Sequence, residues 1–279
     1  MNILTKITSL LAAASLLMCG GCGKNSSKPA DSTGELTVTF LDVGKADAII
    51  LRNHDHAVVI DCGEKGNGKE VAAELEEQGV TAVDQLIITH YDKDHVGGAA
   101  KVIKNCNVLN VICPDYSKDS DEMEKFNSAL ETKNLSPTLL TEEFSFEMAD
   151  VSFTVYPAEK DFYGEEDEND FSLVVKAQHG ENSLLFTGDA MEQRLEEIMD
   201  IGQCLFLKVP YHGRKLDNLE QFLNAVSPKC AVVCTSAEDF ASSTRTLLEQ
   251  EGIRTYSTCD NGRIEMVSDG KSLSFNTEK

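Results

Sequence analysis

Thr89-His90-Tyr91-Asp92-Lys93-Asp94-His95-Val96-Gly97-Gly98 is the stretch of this chain that decides its fold. It follows the apolar run Leu86-Ile87-Ile88, which predicts a β-strand. A strand that ends here delivers the first histidine to the carboxyl edge of a sheet, and the turn can direct the two later carboxylates and the second histidine toward the same volume. Imidazole and carboxylate ligands together suit zinc, manganese or iron. A polar loop whose side chains are merely solvated is the alternative.

The composition predicts an acidic globular chain. Its 279 residues suffice for one large α/β domain, and 47 acidic against 25 basic side chains give a formal charge of −22. Such a charge repels polyanions and anionic membrane surfaces, so it disfavours tight, non-specific binding of nucleic acid. The nine cysteines are odd in number and form no clean disulfide pattern. Cys62, Cys106 and Cys113 are predicted to be small buried hydrophobes rather than metal ligands.

The amino-terminal segment predicts export. Residues 1–22 contain Lys6 and an apolar core over Ile7–Met18, which is short for a membrane span. The end of this segment resembles a bacterial lipoprotein processing site with Cys22 as the lipidated residue, although an ordinary secretory signal is the alternative. Residues 23–34 predict a flexible tether. The protein is therefore expected at the extracytoplasmic face of the bacterial membrane, touching it only through a lipid anchor, with the folded domain over residues 35–279.

Short apolar strands alternate with helices along the rest of the chain, which predicts two β-rich layers flanked by helices. The predicted strands are Leu36–Leu41, Ala48–Arg52, Ala57–Ile60, Gln85–Thr89, Val108–Cys113, Val151–Tyr156, Ser172–Ala177, Ser183–Thr187, Cys204–Val209, Cys230–Thr235 and Arg254–Ser257, with a closing hairpin over Arg263–Phe275. The predicted helices are Lys69–Gln78, Val96–Lys104, Asp119–Lys133, Ala190–Asp200, Leu216–Val226 and Thr244–Glu251.

The opening stretch resembles the metal-binding loop H-x-H-x-D-H of the metallo-β-lactamase superfamily. His90, Asp94 and His95 stand at its positions, and Asp92 stands where the second histidine is usual. This variant is similar to the hydrolase domain of ComEC-type competence proteins, and further motifs match in order. They are Phe40–Ala48 for F-x-D-V-G-Q-G-D-A, Val59–Gly63 for I-D-x-G, Asn169–Val174 for N-x-x-S-L-V, Phe186–Asp189 for L-T-G-D and Leu207–Gly213 for L-K-V-x-H-H-G.

This resemblance runs from about Leu36 to the last residue and implies an α/β fold, the αββα sandwich, with metals along one edge between the sheets. It implies that His90 and Asp92 hold one ion, that Asp94, His95 and His212 hold another, and that Asp189 bridges them. Asp94 and His95 are also the predicted catalytic residues. Asp42 and Asp61, at strand ends, are expected to orient the ligands. Taken alone, Asp189 could equally be a helix N-cap and His212 a surface residue; His54, His56 and His179 are predicted to lie on the surface.

Two divalent ions, zinc or manganese, would share a hydroxide and neutralise charge on a phosphoryl or acyl oxygen. The sequence departs from the family pattern mainly at its substrate end. Arg214 replaces a small hydroxyl residue and Tyr211 a histidine, the G-H-P segment is missing from Ala237–Thr244, and Cys259 replaces an aspartate. An acidic run over residues 165–170 stands where the third loop commonly supplies a histidine. These changes predict weakened or redirected activity.

The leading hypothesis is a surface-tethered, metal-dependent hydrolase of phosphodiester-type substrates, a class that includes nucleic acid, the substrate that the resemblance to ComEC-type domains implies. Hydrolysis of esters, lactones or lactams is the first alternative, because similar sites serve it. A non-catalytic binding lipoprotein with a degenerate site is the second. The sequence leaves the substrate, the metal and the oligomeric state open.

Overall fold

Fifteen strands and eight α-helices make up the described part of the protein, which in this computed structural model covers residues 34–164 and 168–279. The strands are β1 (Leu36–Phe40), β2 (Ala48–Asn53), β3 (His56–Cys62), β4 (Gln85–Ile87), β5 (Val111–Pro114), β6 (Thr138–Leu140), β7 (Phe144–Met148), β8 (Val151–Tyr156), β9 (Val174–His179), β10 (Asn182–Phe186), β11 (Phe206–Lys208), β12 (Cys230–Val233), β13 (Arg254–Ser257), β14 (Ile264–Ser268) and β15 (Leu273–Thr277). The helices are α1 (Gly68–Glu77), α2 (Lys93–Val96), α3 (Ala99–Asn105), α4 (Asp121–Lys133), α5 (Glu192–Glu197), α6 (Leu219–Val226), α7 (Ser242–Gln250) and α8 (Thr258–Asn261).

The strands form two mixed sheets. The first has the order β15-β14-β1-β2-β3-β4-β5-β6, and the second has the order β13-β12-β11-β10-β9-β8-β7. In each sheet an antiparallel half joins a parallel half: β3-β4-β5-β6 are parallel in the first, and β10-β11-β12-β13 in the second. Parallel neighbours need crossover connections, and helices supply them here. The loops at the carboxyl ends of these strands therefore share one edge of each sheet.

Three apolar layers hold the sheets and helices together. The central layer lies between the sheets, where the ring of Phe40 meets that of Phe206 at a centroid distance of 5.5 Å. A second layer packs α1, α3 and α4 on the outer face of the first sheet, and a third packs α5, α6 and α7 on the second. Burial of each apolar face drives this stacking. The order helix, sheet, sheet, helix confirms the predicted αββα sandwich.

The predicted helix over Val96–Lys104 is wrong in one respect, because two helices occupy this region. The backbone N–H of Gly98 donates to the carbonyl of Gly63 at 2.9 Å instead of continuing the helical ladder. A Cβ at Gly98 would lie 2.1 Å from the carbonyl oxygen of Cys62, so only glycine allows this approach. The break separates α2, which carries ligand candidates, from α3.

Three short elements, β6, β7 and α8, were not expected from the sequence. Both strands lie at an edge of their sheet and have largely exposed or half-buried side chains, so their hydrophobic pattern is weak. The surface prediction for His179 is also wrong: this residue is fully buried, with Nδ1 2.7 Å from Ser268 Oγ. The hairpin of β14 and β15 covers it, whereas His54 and His56 are exposed as predicted.

The predicted export signal, the lipidation site Cys22 and nearly all of the predicted tether lie outside the described residues. None of the described helices has the length and apolar character to cross a bilayer.

All seven described cysteines are free; Cys62 and Cys113 are buried as predicted, and Cys106 is half-buried.

Candidate metal centre

Four buried side chains converge at the edge between the two sheets. They are Asp94, His95, Asp189 and His212, and each offers one ligand atom such that all four atoms lie within 4.8 Å of one another. Nε2 of His212 lies 2.8 Å from Asp189 Oδ2 and 3.4 Å from His95 Nε2. Nε2 of His212 is also 3.4 Å from Asp94 Oδ2. Residues separated by as many as 118 positions in sequence therefore surround one small volume.

Local backbone geometry explains how these side chains reach the same point. Asp94 and His95 sit on α2, directly after the loop that leaves β4, and Asp189 follows β10 through Gly188 at φ +52°. Tyr211 and His212, after β11, have φ values of 49° and 51°. Two consecutive non-glycine residues in the left-handed region are strained and typical of functional sites. This turn directs the His212 imidazole into the protein.

His95 and His212 each form a hydrogen bond through Nδ1, on the side of the imidazole away from the centre. These bonds determine that Nε2 is the nitrogen that faces the centre. His212 Nδ1 donates to the backbone carbonyl of Cys234 at 2.9 Å, because a carbonyl can only accept. His95 Nδ1 lies 2.7 Å from Asp61 Oδ2, a carboxylate partner of the kind that orients metal-bound histidines. In the neutral rings both Nε2 atoms then present lone pairs toward Asp94 and Asp189. Four acceptors facing one another suit a cation between them.

Asp61 supports the ligand loop in addition to His95. Its carboxylate accepts from the backbone N–H of Thr89 at 2.8 Å and from the Thr89 hydroxyl at 2.6 Å. The residue is fully buried and has φ +58°, at the end of β3. Asp61 therefore fixes both the start of the loop and the orientation of the His95 imidazole.

Electrostatic coupling inside the centre shifts several pKa values in opposite directions. Burial disfavours charge on His212, but Asp189 outweighs this effect and raises the pKa of His212 to about 9. Burial likewise opposes protonation of His95, but Asp189 and Asp61 raise its pKa well above the ordinary value. Conversely, burial favours the neutral form of Asp189, yet His212 and His95 hold its pKa well below the ordinary range. The carboxylates thus stay ionised and attract positive charge.

Lys208 is a buried cation next to the centre that sequence reasoning did not single out. Its Nζ donates to the carbonyl of Gly188 at 2.8 Å, forms an ion pair with Asp47, and lies 3.6 Å from Asp189 Oδ1. Burial lowers the pKa of Lys208, but the two carboxylates more than offset it, so the ammonium stays charged. The only sequence signal was its position inside the L-K-V-x-H-H-G match.

His90 and Asp92 lie beside this group but are not part of it. His90 is fully buried, its ring centroid is 4.1 Å from that of His95, and its Nε2 has no hydrogen-bond partner among the described residues. The nearest carboxylate oxygen of Asp92 lies 3.9 Å from His90 Nε2. Burial, reinforced by the charge on His95, lowers the pKa of His90 to about 4, so the ring is neutral near pH 7. Lys118 binds the other oxygen of Asp92.

Asp42, which the sequence grouped with Asp61 as a residue that orients ligands, lies elsewhere. Its side chain is exposed and pairs with Nζ of Lys279 at 3.1 Å. The motif places Asp42 just before a turn, and that turn brings Asp47 to the centre instead, where its Oδ1 is 3.6 Å from His212 Nδ1. The alternation of side chains in this turn could not be read from the sequence.

The substituted residues at the substrate end contact other side chains of the protein. Arg214 forms an ion pair with Asp239, and Cys259 lies 3.4 Å from the Ser257 hydroxyl. In the acidic run, Asp170 accepts from the backbone N–H of Met191 at 2.7 Å, which ties that loop to the start of α5. None of these contacts adds a ligand to the four convergent ones.

Comparison with known proteins agrees with this architecture. The family model for the metallo-beta-lactamase superfamily matches residues 41–237. ComE operon protein 3 of Bacillus subtilis is 26% identical over 259 residues, which cover 84% of this chain and 33% of that protein. Recombination protein 2 of Haemophilus influenzae is 27% identical over 203 residues, covering 70% of this chain and 24% of that protein. The chain thus spans a third or less of the length of these relatives.

Solved structures show the same fold at low sequence identity. The metallo-beta-lactamase fold protein YhfI from Bacillus subtilis superimposes with a TM-score of 0.56 at 10% identity, over 87% of this chain and 100% of that one. A putative metal-dependent hydrolase from Parabacteroides distasonis gives a TM-score of 0.55 at 15% identity, over 80% of this chain and 93% of that one. These similarities concern the fold.

Proposed function

This chain belongs to the metallo-beta-lactamase superfamily, and on that premise we propose that it is a metal-dependent hydrolase of phosphodiester-type substrates. The convergence of Asp94, His95, Asp189 and His212 carries the proposal. Without a metal, protons on the two imidazoles compensate the buried carboxylates, as the raised pKa values of His95 and His212 indicate, and loss of those protons leaves four acceptors facing one another. A divalent ion satisfies all four.

We assign one ion to these four residues and a second to His90 and Asp92, with Asp189 shared between the two positions. Carboxylates form half of the four-residue set, so manganese suits it about as well as zinc. Bound divalent ions supply Lewis-acid activation of water and neutralise charge on the substrate. The second position has fewer ligands than the first, so it is the weaker of the two.

The protein's own residues hold this machinery in place. Asp61 keeps the His95 imidazole in one tautomer and orientation, and the Cys234 carbonyl does the same for His212. Lys208 neutralises Asp47 and the oxygen of Asp189 that faces away from the histidines. The negative charge at the centre is thereby reduced, which favours approach of an anionic substrate.

Two partly exposed cations support an anionic substrate. Nζ of Lys45 lies 2.9 Å from Asp94 Oδ2, and its side chain is 32% exposed. Arg214, 39% exposed, follows the turn that carries His212. Both cations pair with carboxylates of the protein, Asp94 and Asp239, and their exposed portions are available to an anionic substrate. The names of two relatives, Recombination protein 2 of Haemophilus influenzae and Competence protein ComA of Neisseria gonorrhoeae, agree with a nucleic-acid substrate.

Hydrolysis of a thioester, ester or lactam is the second candidate. Hydroxyacylglutathione hydrolase of Photobacterium profundum is 33% identical over 87 residues, which cover 28% of this chain. That match is confined to about a quarter of the chain, so it supports the hydrolytic centre more than the substrate. A non-catalytic binding protein is the third candidate, favoured by the substitutions at Arg214 and Cys259.

We also propose that the domain is exported and held at the extracytoplasmic face of the bacterial membrane. The support is the amino-terminal sequence, in which Cys22 follows an apolar core and small residues. Labelling with a radioactive fatty acid in cells tests this directly. Wild-type protein should incorporate label, and Cys22→Ala should not; equal labelling of both would contradict the assignment.

Turnover of a small phosphodiester by the purified full chain tests the proposed function. Bis(p-nitrophenyl) phosphate should be hydrolysed in the presence of zinc or manganese, and Asp94→Ala should lower the rate about 100-fold or more because a ligand is lost. Asp42→Ala, a matched change of an exposed aspartate, should retain the rate. Equal turnover by Asp94→Ala and wild type would contradict the proposal. Faster turnover of a lactone or thioester would favour the second candidate.

A further inference from the structure

A groove between helices on the outer face of the first sheet is unusually basic for this chain. The groove has a volume of about 550 Å³, and five of the eight residues that line it are lysines. They are Lys65, Lys69, Lys101, Lys104 and Lys125; the other three are glycine or alanine. No acidic residue among those that the structure describes lines it. A protein with 47 acidic and 25 basic side chains should show the opposite balance in an arbitrary surface groove.

Three packed helices and one loop build this cluster. α3 packs against both α1 and α4, and it contributes Lys101 and Lys104, three positions apart and therefore on one face. α1 contributes Lys69, α4 contributes Lys125, and the loop after β3 contributes Lys65. The lysines belong to elements that the apolar core holds in place, so the cluster is a fixed feature of the fold.

The positive charges of the groove are largely uncompensated. Of the five lysines only Lys125 has an ion-pair partner among the described carboxylates, Asp121 at 3.6 Å, and both are partly exposed. Like charges held together repel one another and lower stability unless a counter-charge binds. Because physiological salt screens charges beyond about 8 Å, acidic side chains farther than this from the groove contribute little to its field.

The groove adjoins the segment that carries the candidate metal ligands. Gly97, which lines the groove, is two residues after His95, and a Cβ at Gly97 would lie 2.7 Å from the backbone nitrogen of Lys65. The loop with Lys65 also follows β3, the strand that carries Asp61. The groove therefore begins directly after the segment that carries the candidate ligands.

We propose that this lysine groove binds the phosphate backbone of a single-stranded nucleic acid, the substrate of the proposed hydrolase. This inference names the substrate class of the proposed hydrolase and rests on that function. Regularly spaced phosphates match several separate ammonium groups better than a single small anion does. The overall charge of −22 keeps such binding weak and strongly dependent on salt.

Fluorescence anisotropy of a labelled single-stranded oligodeoxynucleotide, measured on the full chain with a chelator present, tests this inference. If all five lysines contact phosphates, the slope of log K against log salt should be about −3.5, and Lys101→Gln with Lys104→Gln should reduce it by about 1.4. Lys229→Gln with Lys271→Gln makes the same change of charge at exposed lysines far from the groove. This control should bind as wild type does.

Equal binding and equal salt slope in the groove variant and in wild type would overturn the inference. Binding of anionic phosphatidylglycerol vesicles but not of the oligonucleotide, lost in the groove variant, would also overturn it and assign the groove to the membrane surface. Since the chelator removes metal, these results do not depend on turnover. Failure of the proposed hydrolysis would instead appear as oligonucleotide binding through the groove with no cleavage after zinc or manganese is restored.

Discussion

The ammonium of Lys118 donates to Oδ1 of Asp92 at 2.5 Å, so a cation of the protein itself holds a carboxylate assigned to the second metal position. The same ammonium also pairs with Glu168. At Asp94 a divalent ion gains three further ligands, but at Asp92 it gains chiefly His90. Lys118 therefore competes effectively with the second ion for Asp92, whereas Lys45 does not compete effectively with the first ion for Asp94.

We predict that Lys118→Met strengthens binding of the second ion roughly tenfold, because Asp92 is released and a repulsive positive charge is removed. Titration of the full chain with Mn²⁺, following free Mn²⁺ by electron paramagnetic resonance, measures both affinities. Wild type should bind one ion tightly and a second weakly. Lys118→Arg keeps the charge and should resemble wild type. If wild type bound two ions with similar affinity, and Lys118→Met left both affinities unchanged, Lys118 would not compete with the second ion for Asp92.

A second prediction concerns Asp61, which orients His95. Asp61→Asn is suited to the test because asparagine also tolerates the left-handed φ of 58° at this position. The amide cannot accept from His95 and Thr89 as the carboxylate does, so metal affinity should decrease about 10- to 100-fold. Isothermal titration with Zn²⁺ gives the affinity, and Asp42→Asn is the matched control. Unaltered affinity in Asp61→Asn would show that this contact does not support the ligand.

Removal of Lys208 should destabilise the protein even without metal. Lys208→Met leaves Asp47 and Asp189 buried without their cation, which costs about 3–5 kcal/mol in comparable cases. Urea unfolding of the chelator-treated protein measures the loss. The double variant Lys208→Met with Asp47→Asn removes one of the two uncompensated carboxylate charges and should recover part of the stability. A loss below about 1 kcal/mol would mean that water already compensates these carboxylates.

The raised pKa of His212 predicts how the stability of the metal-free protein varies with pH. The folded-state pKa of about 9 exceeds the unfolded value of 6.5, so protonated His212 stabilises the fold fully below pH 6.5. This contribution is lost as the pH rises from 6.5 to 9. Unfolding free energies across this range should decrease in wild type and vary less in His212→Asn. A wild-type stability that increases over the same range would contradict the sign.

The sequence predicted those parts of the site that lie at strand ends. A strand followed by clustered histidine and aspartate indicated the loop after β4, and the order of motifs, through the family resemblance, indicated that Asp189 and His212 would join it. The αββα layers followed from alternating strands and helices, because each apolar face must be buried. The structure brings Asp94, His95, Asp189 and His212 together and leaves His90 and Asp92 at the side.

What the sequence did not predict depends on tertiary contacts. Lys208, Asp47 and Lys118 each resemble ordinary charged residues until packing brings them to a carboxylate or an imidazole. Asp42 and Asp47 lie in one motif, and only the path of the turn decides which of them faces the centre. The lysine groove likewise combines residues from a loop and three helices. Neither their separate positions in the sequence nor the negative net charge of the chain indicated that they would form a basic groove.

Metal content of the purified full chain, measured by inductively coupled plasma mass spectrometry after exhaustive dialysis, tests the central claim most directly. Wild-type protein loaded with zinc or manganese should retain at least one ion per chain. His212→Ala, which removes one of the four convergent ligands, should retain far less. No stoichiometric ion in wild type, or equal retention in His212→Ala, would show that these four side chains do not form a metal site.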